Sequence, residues 1–204
     1  MGKENPWLLL ALIAGISWVA KGWRDDYRAA CAHRPNPRGY PGAVPTGRVA
    51  VLAGIAGAGL LLGVETWGEQ ALGIAARQAR VSVLFGVYSL AAAFAEELVF
   101  RGYVVIENRG RVPFLAGVVG ASLAFAALHP FLWEWTNGRW VVHADTKAWF
   151  STAMVFTNSL WFYAVRYLPA NRPRSLLPCF AAHATKNLGV FAIKYAQGFV
   201  TGWW

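Results

Sequence analysis

Six apolar runs follow one another along the chain, at roughly residues 6–20, 49–67, 81–107, 112–132, 148–168 and 176–197. Most approach the ~20 residues that a helix needs to cross a bilayer. Polar connections separate them, so the pattern predicts an all-α, polytopic transmembrane helical bundle of about six membrane helices. The first run is short. Residues 7–20 look like the core of a signal peptide, but SWVA at 17–20 is a poor cleavage site, and the run is read as a first span. The connection at 21–48 is long, basic and rich in Pro and Gly, which argues against a continuous helix and for a solvated or headgroup-bound loop. Residues 68–80 are too polar to span and are expected along the interface or in a loop. No internal repeat or second domain is visible, so residues 1–204 read as one membrane domain with a core at about 81–197.

Composition supports a membrane protein over a soluble one. The chain is 56% hydrophobic and only 14% charged, with a mean hydropathy of +0.37. So few polar residues could not cover the surface of a soluble helical protein. The net charge of +9 does not point to nucleic acid, because the basic residues are spread over connecting loops and form no nucleic-acid module. With the N-terminus outside, the inner loops hold eleven Lys and Arg (Lys21, Arg24, Arg28, Arg34, Arg38, Arg48, Arg109, Arg111, Arg166, Arg172, Arg174) and the outer segments five. That asymmetry favours an N-out, C-out multi-pass protein, expected in a prokaryotic cytoplasmic membrane. Trp18, Trp23, Trp67, Trp133, Trp135, Trp149, Trp203 and Trp204 fall near span ends and read as interfacial anchors. Cys31 and Cys179 cannot make a disulfide framework, and Cys179 reads as a packing residue. The ends GFVTGWW and MGKENP carry neither a prenylation nor a myristoylation signal.

Ionisable residues inside spans are costly and mark functional sites by default. Here they are Glu96, Glu97, Arg101, His129, His183, Lys186 and Lys194, with Asn158 and Asn187 as uncharged additions. Glu96 and Glu97 interrupt the apolar stretch AAAFAEELVFRG. Glu97 and Arg101 are four apart with the acid first, the favourable order for a helical ion pair. Glu96 points about 100° away and has no local partner. Burial without a partner favours the protonated form of a carboxylate, which suits acid–base work near neutral pH. The doublet can therefore divide its labour between a structural pair and a free carboxylate.

Phe125 and His129 share a helix face in FAALH. At ~1.5 Å per residue, Glu96 lies about 16 Å from Glu107 and His129 about 24 Å from Pro113, a depth difference of under two turns. In HATKN, His183 and Asn187 stack on one face, and both can donate hydrogen bonds. Two convergent donors in a dry site could hold an oxyanion; an interhelical hydrogen-bonded pair is the plainer alternative.

The three stretches together resemble the CPBP family of intramembrane proteases (CAAX proteases and bacteriocin-processing enzymes), which includes the type II CAAX prenyl endopeptidases. That family's pattern is EExxxR, FxxxH and HxxxN on successive core helices. This chain has EELVFR at Glu96–Arg101, FAALH at Phe125–His129 and HATKN at His183–Asn187, complete and in order over about 92 residues. The resemblance implies a glutamate-dependent intramembrane endopeptidase. Glu96 would deprotonate a water held with His129, and His183 and Asn187 would stabilise the oxyanion. Glu97, Arg101 and Phe125 would support the geometry. It also implies a membrane-associated peptide or protein substrate, such as a prenylated or C-terminal sorting tail, and no cofactor. The chain departs from the prenyl proteases in its fewer spans, its long basic first loop and its many Trp residues.

Three rivals stand beside this reading. Glu96, His129 and His183 could ligate zinc in a metal-dependent protease, although no HExxH is present. The polar residues could line an ion path, although no inverted repeat is visible. The chain could also be a non-catalytic immunity or scaffold protein.

Overall fold

The computed structural model describes residues 5–204; Met1–Glu4, with Lys3 and most of the MGKENP segment, lie outside the described residues. Six α-helices dominate: α1 (Pro6–Cys31), α2 (Arg48–Ala71), α3 (Val83–Glu97), α4 (Arg111–Leu128), α5 (Thr146–Arg166) and α6 (Leu177–Ala196). They form a bundle in which α1 packs on α3, α2 on α5 and α6, α4 on α5, and α6 on α3 and α5. Four segments are long and apolar enough to cross a membrane: Pro6–Cys31, Arg48–Ala71, Val83–Tyr103 and Arg111–Leu128. The expected runs at 148–168 and 176–197 do form helices, but these are more polar. They sit inside the bundle, where Ser151, Asn158, Ser159, His183 and Lys186 are buried against protein rather than lipid.

Local sequence explains the helix starts. Asn5 Oδ1 accepts from Trp7 N and Leu8 N at 3.1 and 3.2 Å, and Pro6 supplies the first turn of α1. Ser82 Oγ accepts from Phe85 N at 3.0 Å at the start of α3, and Asp145 Oδ1 accepts from Ala148 N at 3.0 Å at the start of α5. The small residues Ala50, Gly54 and Ala58 repeat every four positions and let α2 approach α6 closely. A Cβ at Gly54 would meet Pro178 O at 2.7 Å. Trp161 Nε1 donates to Gly54 O at 3.3 Å from the α5 side.

After Glu97 the helix widens into a π-helical segment, Leu98–Tyr103, with Val104 N bonded to Val99 O at 2.8 Å. Such widening exposes carbonyls that need other donors. Tyr163 Oη donates to Phe100 O at 2.6 Å and also reaches Val104 O at 3.2 Å.

Several expectations are corrected. Helix α1 runs through the basic stretch to Cys31 rather than ending near 20, because KGWRDDYRAAC contains only one Gly and no Pro; the Pro- and Gly-rich part begins later and is non-helical. Trp23 is no interfacial anchor: it is 5% exposed, stacks on Tyr27 and donates to Pro41 O at 3.1 Å. Helix α2 extends to Ala71, past the start of the polar 68–80 stretch, and the remainder is turn and loop. The run at 112–132 stops as helix at Leu128, since Pro130 disfavours helical backbone at the residue before it. Beyond it lies an unforeseen hairpin, β1 (Trp133–Thr136) paired antiparallel with β2 (Arg139–Val142). Its signal is Asn137-Gly138, both at positive φ (51° and 74°), the dipeptide that favours a two-residue hairpin turn. Trp140 packs edge-on against both Trp133 and Trp135.

The two ends of the bundle are tied separately. At one, the C-terminal strand-like segment covers the start of α3, with Thr201 N donating to Val81 O at 2.9 Å and Leu84 N to Trp203 O at 2.9 Å. At the other, buried Asn171 donates to Arg166 O and Ser175 O, each at 2.9 Å, and accepts from Thr46 Oγ1 at 2.8 Å.

Candidate active site

A cavity of about 560 Å³ runs between α3, α4, α5 and α6. Glu96, Phe125, His129, His183 and Asn187 all line it, so residues up to 91 positions apart share one wall system. Glu97 and Arg101 lie behind that wall, each without exposed surface.

The two carboxylates differ in their partners. Glu97 Oε1 accepts from Arg101 Nη1 at 3.1 Å and lies 2.8 Å from His183 Nδ1. Arg101 Nη2 donates to Ser159 O at 3.1 Å and Ser159 Oγ at 2.5 Å, and Ser159 Oγ donates to Ser122 Oγ at 3.0 Å. The guanidinium also lies over Phe125 at 4.6 Å and Tyr163 at 4.9 Å. A buried ion pair is tolerated only with such supplementary bonds. Glu96, by contrast, faces the cavity with its side chain 33% exposed, and its nearest ionic neighbour is His183 Nε2 at 3.7 Å.

Backbone placement sets the two histidines. His129 is the residue where α4 ends (φ −83°, ψ 121°), and its Nδ1 lies 2.8 Å from Phe125 O. A carbonyl only accepts, so Nδ1 carries the proton and Nε2 of the neutral ring is left as an acceptor. His183 sits in the second turn of α6, stacked on Phe162 at 4.6 Å, with Phe125 edge-on at 6.0 Å. Its Nδ1 donates to Glu97, which leaves Nε2 towards Glu96.

His183 and Asn187 keep their helical spacing, but each already has a partner: Asn187 Nδ2 donates to Ser89 O at 2.9 Å. Among the described residues, no three His, Cys, Asp or Glu side chains gather as a group able to hold a metal, so Glu96, His129 and His183 do not form a ready ligand set.

Some residues at the site were not singled out from the sequence. Ser159 holds Arg101 and donates in turn to Ser122, and Ser89 holds Asn187; nothing distinguishes a serine in an apolar run as a partner of a residue far along the chain. Glu65 did carry a signal, as a carboxylate within the second apolar run. It lines the cavity and pairs with Lys186 at 2.6 Å across α2 and α6. Asn158, which had no assigned role, also lines the cavity; Nδ2 donates to Met154 O at 2.8 Å, while Oδ1 is buried without a partner. Cys179 is buried, as expected, and bonds to Phe162 O at 3.3 Å.

A family model, type II CAAX prenyl endopeptidase Rce1-like, matches residues 78–189, more than half of the 204-residue chain. The matched stretch contains all three motifs and the helices that carry them. Neither the curated proteins nor the solved structures searched give a match. With four segments apolar enough to span a bilayer and the cavity described above, this integral membrane protein belongs to the Rce1-like family of type II CAAX prenyl endopeptidases.

Proposed function

We propose that the chain is an intramembrane endopeptidase in which Glu96 activates water to hydrolyse a peptide bond of a membrane-associated substrate. The observation that carries this reading is the unequal position of the two adjacent acids. Glu97 is enclosed by Arg101 and His183, whereas Glu96 faces the cavity.

In this mechanism a water donates one hydrogen bond to the Glu96 carboxylate and the other to His129 Nε2. Its remaining lone pair then points at a substrate carbonyl, the orientation needed for attack. Glu96 takes a proton as the oxygen–carbon bond forms. His183, held in place by Glu97 at Nδ1, stabilises the oxyanion together with Asn187. Glu96 returns the proton to the amide nitrogen as the carbon–nitrogen bond breaks, leaving a carboxylic acid and an amine. No metal takes part. Glu97, Arg101 and Phe125 hold the reacting groups in place.

The substrate class includes prenylated CAAX tails and other lipidated or C-terminal sorting tails. The proposed setting is a prokaryotic cytoplasmic membrane with both termini outside, as the charge asymmetry favours. The cavity lining reaches Val81 and Lys194, the bundle end that this orientation places on the outer side.

Incubation of the purified protein in bilayers with a library of membrane-tethered peptides, with and without a chelator, tests the reaction class. Chelator-resistant cleavage is expected. Cleavage lost with chelator and restored by Zn²⁺ would replace this mechanism with a metal-dependent one.

A further inference from the structure

We propose that Lys194 forms a carboxylate-binding subsite of the cavity, an inference that rests on the peptidase reading above and adds a specificity element to it. Lys194 lines the same cavity as Glu96 and Asn187 but lies beyond the residues matched by the family model. Its Nζ donates to two neutral acceptors, Ala79 O at 2.7 Å and Gln78 Oε1 at 3.2 Å. Among the described residues no carboxylate lies within 4.0 Å of it.

The neighbouring acids are already engaged. Glu69 pairs with Lys147 and accepts from Gln78 Nε2 at 2.6 Å, and Asp145 pairs with Arg77 at 2.8 Å. Glu69, the acid whose charge reaches Lys194, is thus taken up by Lys147 and Gln78, and Lys194 is left with neutral hydrogen-bond partners. Pinning the loop before α3 explains two of its N–H bonds but not its charge, since a neutral donor could hold the same two oxygens. An unpaired ammonium beside a largely apolar cavity is unfavourable until an anion arrives.

Spacing indicates where that anion would sit on a peptide. Lys194 is seven residues after Asn187 on α6, on the same face and about 10 Å along the axis. An extended chain rises ~3.3 Å per residue, so the carboxylate would lie about three residues from the scissile bond. A C-terminal carboxylate and an Asp or Glu side chain supply the same chemistry.

The test uses binding, so it does not depend on turnover. Glu96→Gln protein in nanodiscs is titrated with palmitoyl-anchored fluorescent apolar peptides ending in a free acid, in an amide, or in an amide with one internal Glu. Tighter binding of a carboxylate-bearing peptide than of the neutral amide, by about tenfold, is expected. Adding Lys194→Gln should erase that preference, and Lys194→Arg should keep it. Preference for the free acid alone assigns the C-terminus, and preference for the internal Glu alone assigns a side chain. Equal binding of all three peptides, absence of binding, or a preference that survives Lys194→Gln would overturn the subsite. The comparison among peptides stands even if a Lys194 variant fails to fold. Acid preference in binding with no cleavage by the wild type would leave the subsite and remove the peptidase reading; cleavage with no acid preference would do the reverse.

Discussion

His183 Nδ1 lies 2.8 Å from Glu97 Oε1, and this bond ties the helix carrying the third motif to the helix carrying the first. Glu97 is thereby a shared acceptor for a histidine and an arginine, both fixed in place, while its neighbour Glu96 keeps its oxygens for the cavity. The contrast between adjacent carboxylates leads to different expectations for the same conservative substitution at the two positions.

Removing Arg101 leaves Glu97 buried and without its cation. Arg101→Leu is expected to lower stability by about 3–5 kcal/mol, the usual cost of breaking a buried pair from one side. Ser159→Ala removes one bond from the guanidinium but leaves the Ser159 backbone carbonyl, so a loss of about 1–2 kcal/mol is expected. Thermal unfolding of the two variants in the same detergent measures this order; equal, negligible effects would mean that the buried network contributes little to the fold.

Gly54 sits where α2 crosses the start of α6. A methyl group there meets a backbone oxygen, which cannot rotate aside as a side chain could. Gly54→Ala is therefore expected to destabilise by about 1–3 kcal/mol, despite alanine's better helix propensity. Gly59 has open space around it, so Gly59→Ala should be neutral or stabilising. Unfolding midpoints of the pair separate packing from propensity.

Asp145 caps α5, and the Ala148 N–H first, then the Arg77 guanidinium, hold its carboxyl below the ordinary carboxylate range. A depressed folded value means that the contribution is fully present above about pH 4, the unfolded value, and is lost as pH falls through the folded one. Amide exchange in the first turn of α5 should therefore accelerate as the pH is lowered below 4, beyond the intrinsic trend. Asp145→Asn keeps a capping oxygen but should abolish this pH dependence. An unchanged profile in that variant would show that another group titrates.

Legibility from sequence followed the range of the interactions. Helices and the Glu97–Arg101 pair are local, and their periodicity and four-residue spacing are written in consecutive residues. Partners of Arg101 on α4 and α5, and the engagement of His183 with Glu97, depend on how helices pack, which no spacing within one run encodes. Helices α5 and α6 form where their apolar runs predict, but the enclosure of their polar residues by neighbouring helices depends on packing, which hydropathy along one run does not encode. The hairpin was local and readable: Asn137-Gly138 between alternating Trp residues was its signal, masked by the reading of Trp133 and Trp135 as membrane anchors.

The most direct test of the account compares cleavage by the wild type and Glu96→Gln under single-turnover conditions, at equal folded fractions in the same bilayer. The account predicts that Glu96→Gln stays folded, because Glu96 lies outside the buried Arg101 network, and loses about 10²–10⁴-fold in rate, the range for a general base. A folded Glu96→Gln protein that cleaves within a few-fold of the wild type would contradict it.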